Sequence, residues 1–323
     1  MTATLQGDAV TALELEVGER FACFGAHAAV YVIGSSLDCT AAQAVSEAQR
    51  RLLHWNHRLS RFVADSELCR LNADPRERVP VSAVMAQFVD AALRAAAQTG
   101  GLVDATLLAE IEQAGYRSDH RVSLPLDMAL TLAPRRQPAQ ANPAMRWRAV
   151  RVDRGGRTVS RPPGCKLDTG GIAKGLCADI LGETLRGHAS YAVDCAGDVR
   201  IGGRETMPRT VRVASPFGEE ILHEYELLDG GVATSGIAKR SWLDADGRPA
   251  HHILDPATGR PAFTGIVQVT ALAPTALEAE TLAKAALLAG PEDADRWLAH
   301  GGVVVFDDGS YEVKAAGPAM LTG

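Results

Sequence analysis

Residues 191–228 read YAVDCAGDVRIGGRETMPRTVRVASPFGEEILHEYELL. Within them Tyr191–Asp194, Arg209–Ala214 and Ile221–Leu228 are short runs rich in β-branched and aromatic residues, separated by Gly-, Pro- and Ser-containing breaks. Ile266–Ala273 and Gly302–Phe306 have the same character further on. Parallel strands need long crossovers, usually helical, and most of these strands lack them. The pattern therefore predicts an α+β fold with an antiparallel or mixed sheet core and flanking helices.

Working outward, helices are predicted over Lys174–Leu185, Pro274–Ala289 and Glu292–His300. Upstream, Arg148–Val152 reads as a strand, and residues 117–146 as a surface excursion to which Pro125, Pro134, Pro138 and Pro143 deny most regular structure. The first third is mostly helical. Asp38 or Thr40 caps a helix running to about Trp55, a short helix starts at Asp65, and another runs from Ser82 to Gln98 and stops at Thr99-Gly100-Gly101. Ahead of them Phe21–Gly34 reads as one strand leading into a turn. The expectation is a single domain over residues 1–323.

The 323 residues carry 39 acidic against 33 basic side chains and are 46% hydrophobic, which suffices for a full core and excludes intrinsic disorder. A formal net charge of −6 leaves no broad basic face, so nucleic acid is not an expected partner. No apolar stretch approaches the ~20 residues of a membrane helix. Met1–Val10 lacks the features of a signal peptide, so the chain reads as cytoplasmic as given, and as periplasmic if an export signal has been removed. The six cysteines (Cys23, Cys39, Cys69, Cys165, Cys177, Cys195) form no CxxC, which points to buried thiols. Basic residues are nearly all Arg; Lys stands only at Lys166, Lys174, Lys239, Lys284 and Lys314.

Three segments carry chemistry. Asp168-Thr169-Gly170-Gly171-Ile172-Ala173-Lys174-Gly175 follows the strand-like Cys165–Leu167 and opens a helix. Its glycines allow close backbone approach, the helix amides point outward, and Lys174 stands beside them, a combination suited to a phosphate. It is neither a Walker A nor a GxGxxG motif. His252, ahead of Asp255-Pro256-Ala257-Thr258-Gly259, is expected to project beside Asp255, where a carboxylate orients an imidazole for proton transfer; a purely structural turn is the alternative. Glu280 and Lys284 lie one turn apart on an otherwise apolar helix, which directs the pair to a pocket or, on the plainer account, to solvent.

Together these segments resemble the ApbE family of flavin transferases. The likeness runs from about Phe21 to Gly290 on an ordered set of motifs. These include Leu59-Ser60-Arg61-Phe62, Asp65-Ser66-Glu67-Leu68, Leu71-Asn72, Gly100-Gly101-Leu102-Val103-Asp104, Gly170–Gly175, Asp194–Asp198, Thr234-Ser235-Gly236 and His252–Gly259. The resemblance implies binding of FAD, use of magnesium at the pyrophosphate, and transfer of FMN onto a Ser or Thr hydroxyl of an acceptor protein with release of AMP. It implies ring contacts from Phe24 and Phe62, and a segment Leu102, Val103 and Asp104 that holds FAD. It further implies phosphate contacts at Gly170, Ala173, Lys174 and Leu176, and backbone contacts at Leu254 beside the catalytic pair His252 and Asp255.

The chain also departs from the family pattern. Phe24-Gly25-Ala26 replaces Met-Gly-Thr, and Ala196-Gly197 replaces Gly-Gly. The metal-binding helix, usually with Asp and then Thr, has Glu280 and Lys284. An ammonium has no lone pair for a cation. The expectation is therefore that Lys284, held by Glu280, takes the place of the ion in a metal site otherwise formed by Ala173 and Glu280. Two alternatives accompany the transferase: an FAD-binding protein without transfer, and an FAD pyrophosphatase giving FMN and AMP.

Overall fold

An eight-stranded sheet, antiparallel throughout, organises the chain. The structure, a computed structural model, describes residues 15–118, 123–205 and 207–317. The Met1–Val10 start and residues 119–122 of the Pro-rich excursion lie outside the described residues. Across the sheet the order is Val17–Cys23, Ala26–Ile33, Ser190–Cys195, Asp198–Gly202, Gly230–Gly236, Ile266–Ala273, Gly302–Phe306 and Tyr311–Lys314.

The described helices are α1 (Ala41–Leu59), α2 (Glu67–Ala73), α3 (Ala83–Gln98), α4 (Leu108–Gln113), α5 (Leu126–Thr131), α6 (Ala173–Leu185) and α7 (Ala276–Ala289). α1, α6 and α7 cover one face of the sheet. The pleat explains the sidedness: Tyr191, Val193 and Cys195 are buried in a core shared with α6, while Ala192 and Asp194 face the other side. That second face lies under a hairpin of Arg209–Ala214 and Ile221–Leu227, with a groove of about 790 Å³ between them. Among the described residues no helix is long and apolar enough to cross a membrane.

Helix starts follow the sequence closely. Thr40 and Gln43 form a capping box on α1, and Ser66 and Ser82 cap α2 and α3. α3 ends where Gly100 and Gly101 take φ of 62° and 94°. Strands Arg209–Ala214, Ile266–Ala273 and Gly302–Phe306 stand at their predicted limits.

Several expectations are corrected. Phe21–Gly34 is two strands, because Phe24 and Gly25, at φ 55° and 69°, make the tight turn of a hairpin, and the Phe24 N–H is held by Asn56 Oδ1 at 3.1 Å. Cys165–Leu167 is not a strand; Asn72 pins Leu167 instead, through its N–H and its carbonyl, both at 2.8 Å. Arg148–Val152 divides into a 3-10 turn (Arg146–Ala149) and a strand (Arg151–Asp153), and Glu292–His300 shortens to the 3-10 turn Ala294–Trp297. Within the Pro-rich excursion Pro125 precedes α5, and Ala139 donates to the Leu288 carbonyl at 2.8 Å, so the segment is tied to the core.

Strand Gly230–Gly236 (GGVATSG) carries little strand-like composition because its glycines make room for neighbours. A Cβ on Gly231 would lie 2.3 Å from the Ala276 nitrogen, so α7 can start directly on the sheet only over glycine. Gly175 plays the same part between helices, since its Cβ would be 2.6 Å from the Ala276 carbonyl oxygen. Ala normally outperforms Gly inside a helix by about 1 kcal/mol. Gly175→Ala is nonetheless expected to destabilise the protein, by about 1–3 kcal/mol, since rigid backbone must move. A urea denaturation midpoint no lower than that of the parent chain would contradict this.

Candidate active site

Eight segments meet at one cleft of about 290 Å³: the Phe24-Gly25 turn, the end of α1 with Ser60-Arg61-Phe62, residues 102–107, Ile111 with Tyr116, the Asp168–Lys174 turn, Arg240, His252–Leu254, and Lys284 with Leu288 from α7. Of the residues expected from sequence, Phe24, Phe62, Leu102, Val103, Asp104, Gly170, Ala173, Lys174, His252, Leu254 and Lys284 line it. Leu176 does not; one turn into α6 it packs into the core.

α6 and α7 fix the polar end by exchanging caps. Asp179 of α6 accepts from the Ala276 and Leu277 N–H groups at 2.8 and 3.0 Å, and Glu280 of α7 accepts from the Gly175 N–H at 3.0 Å. Acids at helix N-termini are stabilised by the free amides and the helix dipole. Burial still pushes Asp179 up to about 6. Glu280 thus serves as a cap and shared counter-ion, with its second oxygen 3.6 Å from Lys174 Nζ and 3.9 Å from Lys284 Nζ.

Lys174 is committed to the buried Asp198, at 2.5 Å. Burial and then Glu280 push Asp198 above the usual carboxylate range, with Lys174 pulling it back. Burial works against the Lys174 charge, but Asp198 and Glu280 outweigh it and raise its pKa. Lys284 is different: burial and Lys174 lower its pKa, and its nearest hydrogen bond is to the Gly171 carbonyl at 2.8 Å. A Cβ on Gly171 would sit 3.1 Å from Lys284 Nζ, so the second glycine of the turn admits the ammonium.

His252 lines the cleft near Lys284 and Arg240, and its Nδ1 is buried without a hydrogen-bond partner. Burial first, then the charges of Arg240, His251 and Lys284, hold it well below its ordinary pKa, so the ring is neutral. The expected partnership with Asp255 is not formed. Asp255 accepts from the Gln140 and Ala257 N–H groups at 2.8 and 3.1 Å and from Thr258 Oγ1 at 2.8 Å, which makes it the staple of its own turn. It does not line the cleft.

The other end is aromatic. Arg61 lies 4.3 Å from the ring centres of both Phe62 and Tyr116, Tyr116 stacks on Trp242 at 5.3 Å, and Arg61 reaches Asp168 at 3.4 Å. Asp104 accepts from the Thr106 N–H and hydroxyl at 2.8 and 2.7 Å; its other oxygen is buried without a partner, and burial raises its pKa. Asn56 and Tyr116 also line the cleft without being marked by the sequence, as do Arg61, Arg240 and Asp168, the last of which opens the Gly-rich segment named above. Arg61 lies inside a motif that was quoted, whereas Tyr116 stands at the edge of the segment where periodicity fades.

His251 faces away, against Phe263 at 4.8 Å, and burial lowers its pKa to about 3. As pH falls below the ordinary value of 6.5, the unfolded chain takes up a proton that the folded chain refuses until about 3, so this histidine's contribution to stability is lost over that window. Denaturant titrations should therefore show the stability gap between parent and His251→Gln narrowing as pH drops from 6.5 toward 4, by up to about 1.4 kcal/mol per pH unit. A gap that stays constant would contradict the assignment.

Stacking groups at one end and the Gly170-Gly171 turn with two lysines at the other line one cleft. The helix amides expected there from sequence are already taken, Gly175 by Glu280, Ile172 and Ala173 by the Thr169 carbonyl and Gly170 by Asp168. The model of the ApbE family matches residues 24–306. The chain belongs to the ApbE family. It is 30% identical to the FAD:protein FMN transferase of Salmonella typhimurium over 77% of this chain and 71% of that protein. The enzyme of the same name from Klebsiella pneumoniae is 30% identical over 82% and 74%. The crystal structure of the ApbE protein of Thermotoga maritima superposes with a TM-score of 0.73 at 27% identity, covering 93% of this chain and 97% of that one. The flavin transferase ApbE of Vibrio cholerae shares the fold at 22% identity, with a TM-score of 0.69 over 94% and 98%.

The metal expected from the resemblance does not fit this donor set. Magnesium needs close to octahedral oxygen ligation. Here two ammonium groups lie within 3.9 Å of Glu280, which is already engaged as a helix cap, and Ala173 offers no side-chain donor. Among the described residues no group of three or more His, Cys, Asp or Glu side chains could hold a metal.

Proposed function

We propose that this chain is an FAD:protein FMN transferase acting on a Ser or Thr hydroxyl of a partner protein. The observation that carries it is the neutral His252, with Nδ1 unpartnered, in the same cleft as the Gly170-Gly171 turn and two lysines. In the reaction the acceptor hydroxyl oxygen attacks the phosphorus of the FMN half. The new P–O bond forms as the P–O bond to the AMP phosphate breaks, and AMP leaves. His252 takes the hydroxyl proton. Burial first, and its cationic neighbours second, depress its basicity; an anionic pyrophosphate offsets the second of these, so FAD raises the basicity of the imidazole through charge. Such a transfer depends on positioning and on neutralising charge that develops at phosphorus. The isoalloxazine is assigned to the aromatic end, with Arg61 and Phe62.

Incubation with FAD and an acceptor bearing an exposed Ser or Thr, followed by intact mass measurement, tests this. The expected product is an acceptor carrying one FMN, with free AMP. Free FMN plus AMP would identify a pyrophosphatase, and unchanged FAD retained by the protein would identify a carrier; either result overturns the proposal.

A further inference from the structure

Resting on the FAD reading above, we propose that Lys284 is the permanent cation of this cleft, clamping the pyrophosphate with its ammonium so that FAD binding requires no divalent ion. Lys174 is taken up by Asp198 at 2.5 Å, whereas Lys284 spends one of its three donors on the Gly171 carbonyl and lines the cleft. Its side chain is 15% exposed, so the charge acts where water screens it little. Lys174 is neutralised by Asp198 and Arg61 is paired with Asp168, so Lys284, 3.9 Å from Glu280, is the lysine beside the turn least committed to a carboxylate. The glycine at 171 suits this account, because a Cβ there would press on the ammonium at 3.1 Å and displace it slightly. The position of the lysine is likewise set by its own backbone, on a helix capped by Asp179 and packed on the sheet.

Flavin-stripped full-length protein, titrated with FAD and separately with riboflavin in EDTA and in excess magnesium, tests the proposal. FAD affinity should agree within about twofold between the two conditions. Lys284→Met should weaken FAD about 30-fold or more, the usual scale for removing one partner of a buried charge contact, and leave riboflavin unaffected. Lys284→Gln, which retains a donor for Gly171, should show the same split and serves if the Met variant does not fold. FAD binding lost in EDTA and restored by magnesium would overturn the proposal while leaving the transferase reading intact. An equal loss for riboflavin, or FAD binding by both variants as tight as in the parent chain, would also overturn it. FAD binding in neither condition would defeat the transferase reading as well.

Discussion

Replacing His252 with Gln is expected to lower turnover about 10²–10⁴-fold while FAD affinity stays within a fewfold of the parent chain. The imidazole lines the cleft, is buried and neutral, and has Nδ1 without a partner, so its removal takes away a proton acceptor, along with its contacts to the Arg240 backbone and the Tyr116 ring. Loss that appears only in the transition state shows in kcat, not in ground-state binding. Single-turnover rates at saturating FAD, set beside an FAD titration, separate the two. Asp255→Asn supplies the contrast. An amide oxygen can still accept from Gln140 or Ala257, so that variant should keep kcat near the parent value. An Asp255→Asn loss as large as that of His252→Gln would restore the pair expected from sequence, and normal kcat in His252→Gln with weak FAD binding would assign the histidine to binding alone.

The largest effect on stability is expected from Lys174→Met, about 3–5 kcal/mol, because it leaves Asp198 in the interior without its bonded cation. Asp198 is fully buried, bonded to Lys174 through one oxygen and without a partner on the other. The double variant Lys174→Met/Asp198→Asn should recover most of the loss, since an amide is far cheaper to bury than a carboxylate. The penalty should also shrink as pH falls through about 7, because Asp198, raised to about 7 by burial and Glu280, takes up a proton in the parent chain as well. Urea denaturation of the single and double variants at pH 7 and pH 5 gives the answer. A single variant as stable as the parent, or a double variant no better than the single, would refute the account.

The parts of the fold legible in the sequence are those where local chemistry agrees with tertiary structure. Thr40, Ser66 and Ser82 announce their helices because a cap is a local bond. Ile266–Ala273 reads as a strand because both faces are apolar and covered. Gly230–Gly236 does not, because its small residues answer to α7 and not to strand propensity. The Phe24 turn was illegible for another reason: a Phe at positive φ is uncommon, and Asn56, far away in sequence, helps hold it.

At the site, the scarcity of lysine was informative. Lys174 and Lys284, 110 positions apart, do converge on one carboxylate. The plausible dyad of His252 and Asp255 misled because Asp-Pro-x-Thr-Gly satisfies its own carboxylate within the turn. Arg61 and Tyr116 could not be paired from sequence, since only the folded chain stacks them.

The exchange of caps between α6 and α7 has a consequence for how the cleft places its charge. Each helix closes the other's open end, through Asp179 in one direction and Glu280 in the other, with Gly175 letting the backbones touch. Lys284 rides on a helix that cannot slide along its neighbour without breaking both closures, so its ammonium keeps one place beside the Gly170-Gly171 turn. A loosely held ion adjusts its place to each guest. A covalently anchored ammonium does not: its place is set when the chain folds.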